Sequence, residues 1–472
     1  MRKKLISKVL LPSLIMGGVF VKTSLAEENP EELKAQIETL KQQIAVMQQQ
    51  MASMQALIEN LQGKVNQVET KTEKLTPQFV AKESKPVFGR PGLEWQLYGR
   101  VKMDYHYDTA QIVYYNDFVG AVKNRWSASY KDNVWEVRKV KDYQNDSTNF
   151  NPRDTRLGTL VYQKRGDWIV KGHTEIDFYG YNSGNNIIPR MRLAYVDIHN
   201  SKTKTSLLFG QDWIPVSQLN PSTIEFGILT AAGNLWWRVP QLTIRQKVFE
   251  NWELLGSLMM HRRIATSSEE RMPWALARVQ YKDGVLSKIF DKGSMIAIGG
   301  GYKHDAVEPG DVSFPRKYFT TESDVDRWLL VGEWVLNFKL FNQKFQFKGE
   351  AWTGKGIDKE WLRYDLGVNA YGEPIEAYGL WADLVWNIKP RLSFTIGAGF
   401  DDPNDKEILK GQYGPQALND RQFTKNTQYF ANLWYKLSDN MSIGVEVMRI
   451  ETERDKWVDT ANRFTLSAFY NF

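Results

Sequence analysis

The residues best placed to do chemistry are arginines at even spacing. Arg190 and Arg192 flank Met191, and Arg100 and Lys102 flank Val101. In an extended chain alternate side chains share a face, so this spacing stacks two cations about 7 Å apart on one wall. Arg156, Lys171, Arg245, Arg278 and Arg463 hold similar positions in other alternating stretches, while Glu175, Asp177, Glu333, Glu350, Asp383 and Glu446 supply carboxylates. A guanidinium fork takes a carboxylate or phosphate through two parallel hydrogen bonds, and an arc of such forks attracts small anions. The arginines concentrate in the earlier strands, which makes one wall positive. The competing reading is a set of solvated charges balanced across a watery interior.

Other chemistry is sparse. The chain has no cysteine, which excludes thiol nucleophiles, disulfides and cysteine-bound metals. His106, His173, His199, His261 and His304 are scattered, and none sits in a serine or metal motif. An enzyme whose site assembles across strands is the alternative that such scatter leaves open. The run from Asp401 to Glu407 is rich in oxygen ligands but lacks the spacing and glycine of a calcium loop, and reads as surface. Nothing calls for a cofactor. The formal charge of +6 comes almost wholly from Arg2, Lys3, Lys4, Lys8 and Lys22; removing those five from 61 basic residues leaves 56 against 55 acids. Nucleic-acid binding therefore has no electrostatic support.

The elements that carry the arginines are strands. Leu93, Trp95, Leu97, Gly99, Val101, Met103, Tyr105 and Tyr107 alternate with Glu94, Gln96, Tyr98, Arg100, Lys102, Asp104 and His106, a run too long for an average soluble strand. The last residues, Phe464, Leu466, Ala468, Tyr470 and Phe472, form another greasy face, and a chain ending on an exposed aromatic makes sense where that face meets lipid. Further strands are predicted near 154–163, 167–179, 189–198, 205–213, 239–248, 251–260, 273–281, 294–303, 326–339, 345–353, 376–387, 391–401, 424–436, 441–451 and 462–472. With the first that makes sixteen, within a range of fourteen to eighteen. Short turns at 164–166, 341–344 and 438–440 alternate with long polar loops at 108–153, 303–325, 353–375 and 401–423. This is the pattern of an all-β, transmembrane antiparallel barrel occupying 93–472, whose lumen is wide enough for water. Its 17 Trp, 21 Tyr and 23 Phe suit two interfacial girdles.

Three segments precede the barrel. Residues 1–26 read as a secretory signal peptide, with a basic start, an apolar run and Ser24-Leu25-Ala26 as a cleavage site. Across 30–76, Ile37, Ile44, Met51, Ile58 and Val65 alternate by four and three with Leu33, Leu40, Met47, Met54, Leu61 and Val68, the heptad of an α-helical coiled coil that needs partner helices. The methionines blur its stoichiometry. Pro77, Pro86, Gly89 and Pro91 mark 77–92 as a linker.

The segments Arg190-Met191-Arg192-Leu193-Ala194-Tyr195, Leu207-Leu208-Phe209-Gly210-Gln211-Asp212-Trp213 and Arg238-Val239-Pro240-Gln241-Leu242-Thr243-Ile244-Arg245 resemble the DcaP-like outer-membrane porins. The resemblance implies a trimeric sixteen-stranded barrel behind a periplasmic coiled coil, and uptake of small anions such as dicarboxylates. Arg190, Arg192 and Arg245 carry over as pore arginines; Arg100, Arg156 and Arg278 join them from the strand pattern. General porins fold a loop inward after the fifth strand, which here is 214–238, with Glu225 as its one acid. Trp236 and Trp237 either line a sugar track or belong to an interface girdle. The expectation is a homotrimeric diffusion channel in the cell outer membrane, surrounded by lipid and lipopolysaccharide and passing small-molecule solutes. The rivals are a carbohydrate or neutral-solute porin and, from the coiled coil, a tether to peptidoglycan.

Overall fold

Period-two alternation builds almost every element. The computed structural model describes Glu38 and residues 93–472, apart from 114–118, 132–133, 140–143, 181–186, 261–270, 308–322, 364–365 and 411–422. The expected signal peptide (1–26), coiled coil (30–76, Glu38 aside) and linker (77–92) lie outside the described residues. The chain divides into two units, Met1–Val87 and Phe88–Phe472, and every described strand belongs to the second.

In chain order the strands are β1 (Leu93–Asp108), β2 (Trp126–Lys131), β3 (Val134–Lys139), β4 (Ser147–Asn151), β5 (Arg156–Arg165), β6 (Trp168–Gly180), β7 (Ile188–Asn200), β8 (Thr205–Trp213), β9 (Arg238–Lys247) and β10 (Trp252–Met259). There follow β11 (Trp274–Lys282), β12 (Asp291–Val307), β13 (Ser323–Leu340), β14 (Gln343–Lys355), β15 (Glu376–Lys389), β16 (Leu392–Pro403), β17 (Lys425–Lys436), β18 (Met441–Arg454) and β19 (Trp457–Asn471). Each wall strand runs antiparallel to its neighbours, and β1 closes the ring against β19 from Arg100 opposite Asn471 to Asp108 opposite Arg463. The other edge of β1 pairs with β5 and then β4. With β4 and β5 counted as one wall position, the barrel has sixteen strands, and all sixteen predicted segments fall on them.

The differences lie at loop ends. Residues 108–153, expected as loop, also hold the β2–β3 hairpin and β4. Wall pairing is interrupted at Pro152, which has no N–H to give the ladder, and the chain turns there through Thr155 N to Pro152 O at 3.0 Å. That turn aims Asp154 inward. Strand β19 starts five residues before its expected position, so the last outward connection shrinks to Asp455 and Lys456.

The outer surface is apolar in the middle and aromatic at its rims. Along β18, Ile443, Val445 and Val447 face out while Ser442, Glu446 and Met448 are buried inside. Trp95, Trp168, Trp252, Tyr435 and Tyr470 ring the turn side, and Tyr302, Trp328, Tyr378 and Tyr429 the loop side. An outward band of this kind is what lipid demands of a closed barrel. Phe472 is held by two reciprocal backbone hydrogen bonds with Gly99, each 3.0 Å, and its ring lies over that glycine; a Cβ at position 99 would sit 2.7 Å from the ring and 2.5 Å from Arg156 O.

The interior is not uniformly polar. Residues 214–237 fold into the lumen, where Ile214, Val216 and Leu235 pack with inward-facing Trp274, Leu276, Leu329, Val331 and Trp352. Val119 and Val122, from the first loop, join Leu229 and Ala232 against Trp381, Phe430, Met448 and Ile450. Burying these side chains costs the loops freedom and returns about 25 cal/mol for each Å² of apolar surface removed from water.

Candidate functional site

The inward loop has no sheet partner, so its buried backbone groups must be satisfied by side chains. The wall supplies them. Glu333 Oε1 accepts from Gln218 N (2.7 Å) and Leu219 N (2.8 Å), and Asp383 Oδ2 from Ser222 N (2.6 Å). Glu446 accepts from Ile224 N (2.7 Å) and Glu225 N (3.0 Å), and Glu350 Oε1 from Leu235 N (3.0 Å). Cations take the carbonyls: Lys102 Nζ donates to Ile224 O at 2.8 Å and Lys348 Nζ to Asn220 O at 2.6 Å. Four carboxylates that the sequence offers as lumen charges therefore hold a loop. Gly233, at φ 92°, lets that loop press on the wall, for a Cβ there would lie 2.1 Å from Leu380 O.

Glu225 is the loop's own acid. Its carboxylate accepts from Val119 N (2.9 Å), Gly227 N (2.5 Å) and Arg463 Nη1 (3.2 Å), while Arg463 also forks onto Asp108 at 2.7 and 2.8 Å. Burial pushes the Glu225 carboxyl up to about 8, against the opposing pull of Arg463 and of those two N–H groups. It is thus bound into the join between the two inward loops.

Facing the loop, β1 and β5 to β7 form the basic wall. Arg190 donates Nε to Asp177 Oδ1 (2.9 Å) and Nη2 to Oδ2 (2.6 Å); Arg192 donates Nε to Glu175 Oε1 (2.5 Å) and Nη1 to Asp177 Oδ2 (3.0 Å). A bulge places Leu193 opposite Glu175 and Met191 opposite Ile176, leaving Arg192 as the extra residue. That is why Arg192 and Leu193, although adjacent, are both buried. Arg100 and Arg156 share Asp154, Arg156 at 2.9 Å through Nε, and Lys102 reaches the same carboxylate at 3.3 Å. Arg245 lies farther along β9, loosely facing Asp212 (3.8 Å) and Asp197 (4.0 Å). Arg278 forks onto Glu333 Oε2 at 3.0 and 2.7 Å and so neutralises a loop-holding acid. Side-chain exposure separates the six: Arg100, Arg156 and Arg245 keep 21–24% and Arg190 13%, whereas Arg192 and Arg278 keep 1%.

Toward the turn side a polar chain continues from Glu175. Tyr98 donates to Glu175 Oε2 (2.9 Å) and meets His173 Nε2 at 2.6 Å, while His173 Nδ1 meets Tyr195 Oη at 2.9 Å, which also accepts from Lys171 (2.9 Å). With Tyr98 donating to Glu175, the imidazole presents its N–H at Nε2.

Sequence reasoning passed over Arg238. It opens β9 directly opposite Trp213, so it sits where the two ends of the inward loop meet. Its guanidinium carbon lies 4.9 Å from the ring centres of Trp213 and Trp237 and 5.5 Å from Trp236. The residue is 1% exposed, and Nε, Nη1 and Nη2 have no hydrogen-bond partner among the described residues. The available signal was an arginine directly after two tryptophans at a loop end. Trp236 itself is buried against Phe226, which corrects the girdle reading for it: it stands inside, not at a lipid interface.

The oxygen-rich run from 401 is already committed. Asp401 takes the Arg363 fork at 2.7 and 2.6 Å, Asp402 meets Lys425 at 3.2 Å, and Asn404 caps the one-turn helix α2 (Asp405–Ile408), a companion to α1 (Leu286–Ile289). Among the described residues no group of His, Asp or Glu is arranged to hold a metal ion.

No family model matches the sequence, and no curated protein does. Solved structures do. The outer-membrane channel DcaP of Acinetobacter baumannii aligns with a TM-score of 0.62 at 19% identity, over 81% of this chain and 99% of that one. The chain has a DcaP-like porin fold. An anion-selective porin from Comamonas acidovorans aligns at 0.52 and 12% identity, covering 80% and 100%, and Pseudomonas putida OprB at 0.52 and 9%, covering 81% and 94%.

Proposed function

We propose that this chain is an outer-membrane porin for the passive diffusion of small hydrophilic solutes, with a preference for small anions such as dicarboxylates. In this reading three chains assemble, their barrels in lipid and lipopolysaccharide and their coiled coils gathered in the periplasm. It is a channel, not an enzyme. Arg100, Arg156, Arg190 and Arg245 would meet the solute, with Arg192 adding its charge from just behind the wall and Arg278 offsetting Glu333.

The observation that carries the reading is an asymmetry of the interior. Glu333, Glu350, Asp383 and Glu446 are buried and turned into the loop, accepting from its N–H groups, so they lie behind it and not at the water of the pore. On the other wall two acids are shared, Asp154 by Arg100, Arg156 and Lys102, and Asp177 by Arg190 and Arg192, while Glu175 and Asp104 each meet one cation, Arg192 and Lys102. Positive charge is left over, and low-dielectric walls focus its field into the aperture. The neutral-solute alternative loses one of the two rings of its aromatic track, since Trp236 is buried and Trp237 alone stays half-buried. A planar bilayer tests the proposal: a four-carbon dicarboxylate added on one side should interrupt the chloride current, and a neutral sugar of similar size should not. Equal block by both solutes, or by neither, would reject the anion preference.

A further inference from the structure

We infer that Arg238 strengthens the anion preference at the constriction, because it is an arginine of the wall that no carboxylate among the described residues holds by a hydrogen bond. The inference rests on the anion-preferring channel reading and names the residue responsible within it. Arg190 and Arg192 are the more conspicuous pair, yet both are held by Asp177, and Arg192 by Glu175 as well. Neither acid has capacity to spare. Asp177 accepts two hydrogen bonds from Arg190, one from Arg192 and one from Tyr179 N; Glu175 accepts from Arg192 and Tyr98. Arg238 is ringed by indoles instead. The faces of those rings attract the cation without cancelling its charge, and a guanidinium does not lose its proton in a protein.

Its position makes that charge effective. Arg238 and Arg190 lie over the same ring, Trp237, at 4.9 and 5.4 Å, and Arg238 and Arg192 over Trp213 at 4.9 and 5.7 Å. The three guanidinium groups form one cluster, of which Arg190 is the part in contact with the lumen. Being backbone-paired to Trp213, Arg238 is fixed to the wall at the base of the constricting loop, so its field does not swing away. In surroundings this poor in water a charge is screened weakly and acts over the width of the cluster. Arg238 is a positioning and field residue that the solute need not touch.

The test compares reversal potentials of the full-length channel in a salt gradient near 0.1 M. Arg238→Gln removes a charge that no carboxylate among the described residues holds by a hydrogen bond, and should lower the anion-to-cation permeability ratio on the order of fivefold, what one unit charge at about 10 Å does through partly wet surroundings. Arg363→Gln combined with Asp401→Asn removes a balanced buried pair outside this cluster and should leave the ratio near that of the parent. Arg238→Lys keeps the charge without the planar fork; it should match the parent at pH 6 and fall toward the glutamine variant as pH rises and the buried amine loses its proton. This variant decides the matter if the glutamine variant does not assemble. A parental ratio in Arg238→Gln, or a lysine variant that already differs from the parent at pH 6 and shows no further pH dependence relative to it, overturns the inference and leaves Arg238 as loop packing. A parent that is itself cation-selective would instead overturn the channel reading beneath it.

Discussion

Arg190 and Arg192 share Asp177, so a change at either is felt by both. Replacing the two by serine leaves Glu175 and Asp177 without their closest cations, and the local charge moves by two units. The reversal potential should then shift toward cations, with the shift fading near 1 M salt as the Debye length falls to about 3 Å. A double variant with the parental reversal potential would remove these residues from the selectivity account. Their inward direction was legible from spacing alone, because a strand leaves little choice. The bulge that turns Arg192 and Leu193 to one side was not legible, since nothing in Met191-Arg192-Leu193 marks the extra residue. Nor was the state of Arg238, which depends on three indoles brought together by loop folding.

Among the elements, the inward loop departs furthest from what pattern reading supplies. A carboxylate on the lumen face has the same spacing whether it meets water or a loop N–H, so Glu333, Glu350, Asp383 and Glu446 read as pore charges in the sequence and are loop anchors in the structure. Glu446→Ala should orphan the N–H groups of Ile224 and Glu225, at about 1–3 kcal/mol for each. The outcome to look for is a larger and noisier single-channel conductance with the barrel intact; unchanged conductance would mean that other contacts suffice to hold the loop. The strands were far more legible, because one apolar face every second residue admits one register. The closing strand makes its own prediction. Phe472 pairs with Gly99, so deleting it should reduce assembled barrel in the outer membrane without reducing secretion. Wild-type amounts after that deletion would show that the terminal pair is dispensable for assembly.

For the whole molecule, the barrel closes on itself and its outer surface is apolar, with aromatics at both rims, which places it in a bilayer; the gathering of three chains is part of the proposal. The purified protein should run as a trimer in SDS and change mobility on boiling, since a closed antiparallel barrel resists the detergent until heated. Light scattering in mild detergent at the mass of one chain would count against the trimer. Neither outcome bears on the basic wall, which each barrel builds alone. The central claim is that a constriction with surplus arginine charge favours anions, and its most direct measurement is the reversal potential of the unmodified channel across a bilayer separating 0.1 M from 1 M potassium chloride, conditions in which the Debye length runs from about 10 to about 3 Å. The expected sign is the one given by chloride passing more readily than potassium. A reversal potential of the opposite sign, or one of zero, would contradict it.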